Sequence, residues 1–124
     1  MKLLACDDDP SVGQMLQATL EAESWDVSFT TLGSECIALM DSVSPDVVVL
    51  DRVMPGLGGM EVAQRIRSDG YRGPILLFSA FTGPDLENDA RALNVVPVPK
   101  VDVEGLLRIL EGLRGAGSAP SGRA

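Results

Sequence analysis

The chain has 124 residues, the size of a single domain with a substantial core. It is 45% hydrophobic and 23% charged, which favours a globular fold over disorder. The net charge of -8 argues against nucleic-acid binding by this chain, because gripping phosphates needs clustered Lys and Arg. The absence of histidine excludes histidine metal ligation and histidine general-base catalysis.

The N-terminal segment and the cysteines indicate the cellular compartment of the protein. Cys6 and Cys36 both lie in apolar patterns without a CxxC motif, which indicates reduced core residues in a reducing environment. No apolar stretch reaches the roughly 18 residues of a membrane span. The first segment ends in three aspartates, which is not the pattern of a signal peptide. We expect a cytoplasmic protein that does not associate with a membrane.

Strand and helix patterns alternate along the first half of the chain. A strand is predicted at 2–6, and a helix follows with Asp9 as its N-cap and Pro10 at its first position. Alternating residues predict a second strand at 25–29. A helix from about Ser34 ends before Pro45. The apolar run 47–50 predicts a buried third strand, which Asp51 follows directly.

The same alternation continues in the second half. A helix follows Gly58-Gly59 and ends at Gly70, and a strand is predicted at 75–78. Residues 84–93 form a short, acidic and poorly periodic helix pattern. A short strand at 95–98 is interrupted by Pro97, and the last helix has Asp102 as its N-cap. These elements predict one domain over residues 1–114, with 115–124 as a flexible tail or linker stub.

Alternating strands and helices predict a doubly wound α/β fold, a parallel sheet with helices on both faces. The richly apolar first and third strands belong in its centre. Their carboxyl ends then lie side by side, which brings Asp7, Asp8 and Asp51 together at a topological switch point. This grouping suggests a hard-cation site with a nucleophilic aspartate beside it.

With these features the chain resembles the receiver domain of bacterial two-component response regulators, a chemotaxis-regulator-like module. The resemblance covers about residues 1 to 114. It rests on four features in order, each just after a strand: Asp7-Asp8, Asp51 with Met54-Pro55-Gly56, Ser79-Ala80, and Lys100. It implies a flavodoxin-like, five-stranded parallel sheet in the order 2-1-3-4-5.

The resemblance also implies a role for each of these residues. Asp51 is expected to accept a phosphoryl group from a sensor histidine kinase or phosphotransfer protein, in a self-catalysed step followed by autodephosphorylation. Mg²⁺ is expected to be held by Asp7, Asp8, Asp51 and the backbone carbonyl of Val53. Ser79 is expected to bind a phosphoryl oxygen, and Lys100 to pair with Asp51 or the phosphoryl group. The downstream protein or output domain is unknown.

Four positions depart from the family pattern. Val101 follows Lys100 in place of a proline, and Pro97 replaces an aromatic residue. Gly58-Gly59 replaces an acidic-glycine pair, and the turn at 93–96 lacks its usual glycine. We therefore expect the phosphorylation residues to be intact while the usual read-out face, formed by the fourth and fifth helices and the fifth strand, is altered.

Two other functions fit parts of the pattern. One is a pseudo-receiver, a protein-interaction module of the same fold that is not phosphorylated and does not need Mg²⁺. The other is a haloacid-dehalogenase-like phosphatase, because Asp7-x-Asp9-x-Ser11 superficially resembles its nucleophile motif. Pro10 at a helix start makes Asp9 a better cap than an acid catalyst. The aspartate that carries phosphate separates the alternatives: Asp7 for the phosphatase and Asp51 for the receiver.

Overall fold

The computed structural model describes residues 1–80 and 84–118, which form five strands that alternate with five helices. The strands are β1 (Lys2–Cys6), β2 (Asp26–Thr30), β3 (Val47–Leu50), β4 (Ile75–Ser79) and β5 (Val95–Pro99). The helices are α1 (Pro10–Glu21), α2 (Gly33–Val43), α3 (Gly59–Ser68), α4 (Pro84–Ala92) and α5 (Val103–Ser118).

The strands form one parallel sheet in the order β2-β1-β3-β4-β5. The predicted doubly wound fold and its strand order are therefore confirmed. All four residues of β3 and all five of β4 are buried, as expected for parallel strands that are covered on both faces. The central position of β1 and β3 is also confirmed, since each has a strand on both sides.

The side chains of the strands alternate between two hydrophobic cores, one on each face of the sheet. On one face Leu4, Val48 and Leu77 pack with residues of α2, α3 and α4. On the other face Leu3, Val49 and Leu76 pack with residues of α1 and α5. Cys6 and Cys36 are free and buried in the first core, as predicted.

The start of α1 shows how local sequence places a functional loop. The Asp9 carboxylate accepts hydrogen bonds from the backbone N–H (3.0 Å) and the hydroxyl (2.8 Å) of Ser11. Pro10 occupies the first turn, where its missing N–H costs nothing. Helix α1 therefore begins directly after the aspartates that follow β1.

Strand β5 differs from its prediction, because it continues through Pro97 to Pro99. Lys100 N–H donates to the Ser79 carbonyl (2.9 Å), so by the two-residue period of a strand the Val96 and Val98 amides also face β4. The backbone positions of Pro97 and Pro99 then face away from the sheet. Proline is compatible with an edge strand in this orientation, because no ladder hydrogen bond is lost.

The turn before β5 has an asparagine where a glycine was expected. Asn94 adopts the left-handed conformation, with φ of 56°. Asparagine tolerates this region better than most residues, so the turn forms without the glycine.

Arg67 in α3 connects the segments that lead into the amino ends of β4 and β5. Its guanidinium donates hydrogen bonds to the backbone carbonyls of Tyr71, Gly73, Leu93 and Asn94, at 2.7–3.0 Å. These bonds join the end of α3 to the loop before β4 and to the turn between α4 and β5.

Helix α5 extends further than the sequence analysis predicted. It continues to Ser118, so the first four residues of the expected tail, 115–118, are helical in the structure. Residues 119–124 lie outside the described residues, and so do residues 81–83. Within the described part of the chain, no helix has both the length and the apolar composition needed to cross a membrane.

Candidate functional site

The carboxyl ends of β1 and β3 bring two aspartates together at the edge of the sheet. The two strands pair in parallel with Cys6 opposite Leu50, and Asp51 N–H donates to the Cys6 carbonyl (2.9 Å). Asp7 and Asp51 are the next residues of each strand, so the sheet register itself sets them side by side. Asp7 is 2% exposed and Asp51 is 7% exposed.

Asp8 completes a cluster of three carboxylates. It is exposed, and one oxygen from each of Asp7, Asp8 and Asp51 lies within 4.8 Å of the others. The chemistry of this donor set fits a hard divalent cation such as Mg²⁺, which prefers oxygen ligands and reduces the repulsion between neighbouring carboxylates. The exposed side of the cluster leaves room for the water ligands that Mg²⁺ retains.

Lys100 is the basic side chain of the site. Its ammonium lies 2.8 Å from Asp7 Oδ2 and donates a hydrogen bond to Asp51 Oδ2 at 3.2 Å. The contact with Asp7 is the closer of the two ion pairs of Lys100. The family resemblance implied that Lys100 pairs with Asp51 or with the phosphoryl group, whereas the closer contact with Asp7 was not predicted.

Burial and charge shift the pKa values of this pair. Burial raises the pKa of the Asp7 carboxyl, and the nearby Asp51 raises it further, against the lowering effect of Lys100 and of Asp9 N–H. Burial would lower the pKa of Lys100, but its contacts with Asp7 and Asp51 outweigh this effect and raise it. The ammonium therefore stays charged while Asp7 is incompletely compensated, and a further cation beside Asp7 would stabilise its ionised form.

Backbone contacts fix the position of Asp7. Asp9 N–H donates to Asp7 Oδ1 (3.0 Å), and Asp7 N–H donates to the Thr30 carbonyl at the end of β2 (3.2 Å).

The pKa of Asp9 is lowered, first by its hydrogen bonds from Ser11. A carboxylate that caps a helix and favours its ionised form is poorly suited to general acid catalysis, which weighs against the phosphatase alternative.

The loop after β3 is shaped by Gly58 and Gly59. A Cβ at Gly59 would lie 2.2 Å from the Asp51 carbonyl oxygen, and a Cβ at Gly58 would lie 2.7 Å from the Arg52 carbonyl oxygen. Gly59 N–H donates to that Arg52 oxygen (2.9 Å). Gly58 has no side chain to cap α3, and its own N–H donates to the Glu61 carboxylate (2.9 Å). Gly58-Gly59 departs from the family pattern in the sequence, but the close packing of Gly59 against the Asp51 carbonyl is visible only in the structure.

The remaining predicted residues lie on neighbouring parts of the same edge. Ser79 ends β4 and is 1% exposed, and its carbonyl accepts from Lys100 N–H. Val53 lies in the β3–α3 loop and is 58% exposed.

Beneath the β3–α3 loop, Cys6 Sγ lies 3.3 Å from Met54 Sδ. Contact with Cys36 and burial raise the pKa of the Cys6 thiol, so it is a protonated core residue.

This combination of a doubly wound fold with three carboxylates and a lysine at the carboxyl edge defines a class of signalling domain. The family model described as the response regulator receiver domain matches residues 3–97. The chain therefore belongs to the receiver domains of two-component response regulators.

Bacterial response regulators are among its relatives. The chain is 35% identical over 117 residues to the response regulator MprA of Mycobacterium leprae, which covers 92% of this chain and 51% of that protein. It is 36% identical over 80 residues to the transcriptional regulatory protein TrcR of Mycobacterium tuberculosis, which covers 64% of this chain and 31% of TrcR. The chain thus spans between about a third and half of the length of these relatives.

Solved structures agree with the family assignment. The Vibrio cholerae chemotaxis protein CheY4 superposes with a TM-score of 0.81 at 29% identity, covering 90% of this chain and 97% of that one. The Thermotoga maritima response regulator TrrA, solved in complex with Mg(2+)-BeF, superposes with a TM-score of 0.78 at 27% identity and the same coverages.

Proposed function

We propose that this receiver domain accepts a phosphoryl group on Asp51 from a phosphohistidine of a sensor histidine kinase or a phosphotransfer protein. The observation that carries the proposal is the grouping of Asp51 with Asp7, Asp8 and Lys100 at one edge of the sheet. The chain acts as a switch in this proposal, and its own chemistry is limited to phosphotransfer and autodephosphorylation.

The transfer exchanges one bond to phosphorus for another. A carboxylate oxygen of Asp51 attacks the phosphorus in line with the P–N bond, which breaks as the O–P bond forms. The imidazole nitrogen of the donor keeps the electron pair and takes up a proton from solvent. Such a transfer needs positioning and charge neutralisation rather than a histidine base, and the chain contains no histidine.

Asp7, Asp8, Asp51 and the backbone carbonyl of Val53 are the proposed Mg²⁺ ligands. When bound, Mg²⁺ supplies positive charge to the phosphoryl oxygens during transfer. The close grouping of the three carboxylates supports this assignment, and so does the Mg(2+)-BeF present in the structure of TrrA.

Lys100 and Ser79 are proposed to hold the transferred group. The Lys100 ammonium is a compact charge that already reaches Asp51, so it pairs with a phosphoryl oxygen once Asp51 is modified. The Ser79 hydroxyl donates to another phosphoryl oxygen. A phosphoryl group adds charge and acceptor atoms, which bias the positions of the loops that carry these residues.

The output is proposed to use a surface other than the α4–β5–α5 face. Pro97 has no ring to rotate inward and no amide to donate, so the usual coupling of that face to the site is missing. The relative MtrA of Mycolicibacterium smegmatis is named a DNA-binding response regulator. An output domain of that kind, or a separate protein partner, would receive the signal outside this chain.

Intact mass spectrometry after incubation with acetyl phosphate tests the phosphoacceptor. We expect one phosphoryl adduct that requires Mg²⁺ and is absent in Asp51→Asn. Asp41→Asn, on an exposed turn of α2, is the matched control and should keep the adduct. No adduct on the native chain would favour the pseudo-receiver, and an adduct that survives in Asp51→Asn would point to Asp7.

A further inference from the structure

A groove of about 400 Å³ lies between the β3–α3 loop and α4, beside the Asp51 site. Its apolar floor is formed by Met54 and Leu86, which are 6% and 8% exposed, together with the half-buried Met60. Three exposed acidic residues line its walls: Glu61 in α3, and Asp85 and Asp89 in α4.

The walls of the groove carry net negative charge, because three carboxylates face a single basic residue. Asp85 and Asp89 lie one helical turn apart, and like charges at this spacing destabilise a helix. Across the described residues, neither of them forms an ion pair. Glu61 accepts a hydrogen bond from Gly58 N–H, and Arg52 is the basic residue among those that line the groove. A cation placed between these walls would relieve the repulsion.

The apolar floor of the groove favours a cation that carries an apolar stem, such as a Lys or Arg side chain. Methionine side chains are flexible and polarisable, so Met54 and Met60 can adapt to a varied apolar partner. Lysine and arginine bury their aliphatic stems on apolar surface while the charged end stays near carboxylates. We infer that this groove docks a basic segment of a partner protein, in which a Lys or Arg meets the acidic walls and a neighbouring apolar side chain meets the floor.

The groove shares a wall with the phosphorylation site. Arg52 directly follows Asp51, and its carbonyl oxygen accepts from Gly59 N–H at the start of α3. A displacement of the Asp51 loop therefore changes the shape of the groove. This coupling rests on the proposed function, whereas the docking of a basic segment to the unmodified protein does not.

The edge strand β5 offers a poorer docking surface for such a segment. Pro97 and Pro99 take the positions of β5 whose backbone faces away from the sheet, so these positions cannot donate hydrogen bonds to an added strand. A partner that adds a strand to β5 would lose these donors. The groove beside α4 does not depend on them.

Amide chemical shifts measured during titration with a short peptide, Lys-Leu-Arg-Lys-Met-Arg, test the docking site on the unmodified chain. A peptide with Glu in place of each basic residue is the control ligand. We expect saturable shifts at Met60, Glu61, Leu86 and Asp89, with a dissociation constant below about 1 mM. The double variant Asp85→Asn/Asp89→Asn should weaken binding about tenfold or more.

The matched control removes the same charge from a different groove. Asp41→Asn/Asp69→Asn alters a groove of about 410 Å³ between α2 and α3, and it should leave peptide affinity unchanged. The single variant Asp89→Asn, which leaves the first turn of α4 intact, should weaken binding even if the double variant frays the helix. Equal losses in both double variants, shifts scattered over the surface, or no shifts at about 1 mM peptide would overturn the proposal.

Two further outcomes would also overturn it. If the groove shifts depend on protein concentration without peptide, the occupant is a second copy of the chain. If Mg²⁺ alone still produces them at equal ionic strength in Asp8→Asn, which weakens the neighbouring carboxylate cluster, the groove itself is a cation site. Repeating the titration with beryllofluoride and Mg²⁺ then tests the coupling: an altered affinity supports it, and unchanged affinity refutes the coupling while leaving the docking site standing.

Discussion

Tyr71 is a residue whose local environment predicts a pH dependence of stability. It lies in the loop between α3 and β4, and its buried hydroxyl oxygen has no hydrogen-bond partner among residues 1–80 and 84–118. The Arg67 guanidinium carbon lies 5.7 Å from the ring centroid. Burial raises the pKa of Tyr71 to about 12, although the nearby Arg67 lowers it. The folded protein therefore favours the neutral phenol.

We predict that Tyr71 contributes stability below about pH 10 that is lost as the pH rises towards 12. The unfolded chain ionises at the ordinary value of about 10, whereas the folded chain resists ionisation until about 12. Tyr71→Phe should remove this step and should not lower stability at neutral pH, because an unpaired buried hydroxyl is lost. Urea unfolding followed by the fluorescence of the buried Trp25, at several pH values, measures the effect.

The chain contains one tyrosine, so tyrosinate absorbance gives an independent check. A folded-state titration midpoint near the ordinary value of about 10 would show that the ring is solvated and that the explanation is wrong. Trp25 is also the single tryptophan, so the fluorescence signal has one source.

At the level of elements, the start of α3 is fitted closely against the backbone of Asp51. Gly59 has no Cβ, and the space that a Cβ would occupy is filled by the Asp51 carbonyl. In α5, Gly112 is exposed and a Cβ there would meet nothing within 4 Å. Both glycines lie in helices, but a side chain would clash at Gly59 and would fit at Gly112.

We predict opposite effects for alanine at these two positions. Gly59→Ala should destabilise the fold by about 1–3 kcal/mol, because α3 or the Asp51 loop must move. Gly112→Ala should stabilise it by about 0.5–1 kcal/mol, because alanine has the better helix propensity and a less flexible unfolded chain. Urea unfolding of both variants measures the difference. Equal stability of Gly59→Ala and the native chain would contradict the close packing.

Some elements of the fold are predictable from local sequence signals and others are not. Asp9 and Pro10 gave the start of α1 directly, because a cap and a first-turn proline are local signals. The end of β5 was misjudged, because Pro97 is compatible with a strand only in the orientation set by pairing with β4. The extent of α5 was also missed, since Gly115 and Gly117 read as a tail although the helix continues through them.

At the scale of the whole molecule, the order of the strands assembled most of the candidate site. Asp7, Asp8 and Asp51 could be placed together from the sequence, because adjacent parallel strands end at the same edge. The contact between Lys100 and Asp7 could not, because it depends on how a loop from the edge strand folds back over the centre. The groove beside α4 likewise depends on the packing of α4 against the β3–α3 loop, which no local pattern encodes.

The three carboxylates and one lysine of the site concentrate part of the chain's net charge of -8 in one place. We therefore predict that Mg²⁺ raises the unfolding temperature, since the folded chain assembles ligands that the unfolded chain disperses. At 100 times the dissociation constant, binding to the folded state alone adds about 2.7 kcal/mol. Thermal unfolding with MgCl₂, and with NaCl at equal ionic strength, separates binding from general screening.

Asp8→Asn is the informative variant for this prediction, because Asp8 is exposed and its substitution should not disturb the core. It should reduce the stabilisation by Mg²⁺, since one ligand charge is lost, whereas Asp41→Asn should respond to Mg²⁺ like the native chain. An equal Mg²⁺ response in all three proteins would show that the ion acts on the overall charge and not on this cluster. The comparison thus tests whether the cluster formed by the ends of β1 and β3 binds the cation that the proposed phosphotransfer requires.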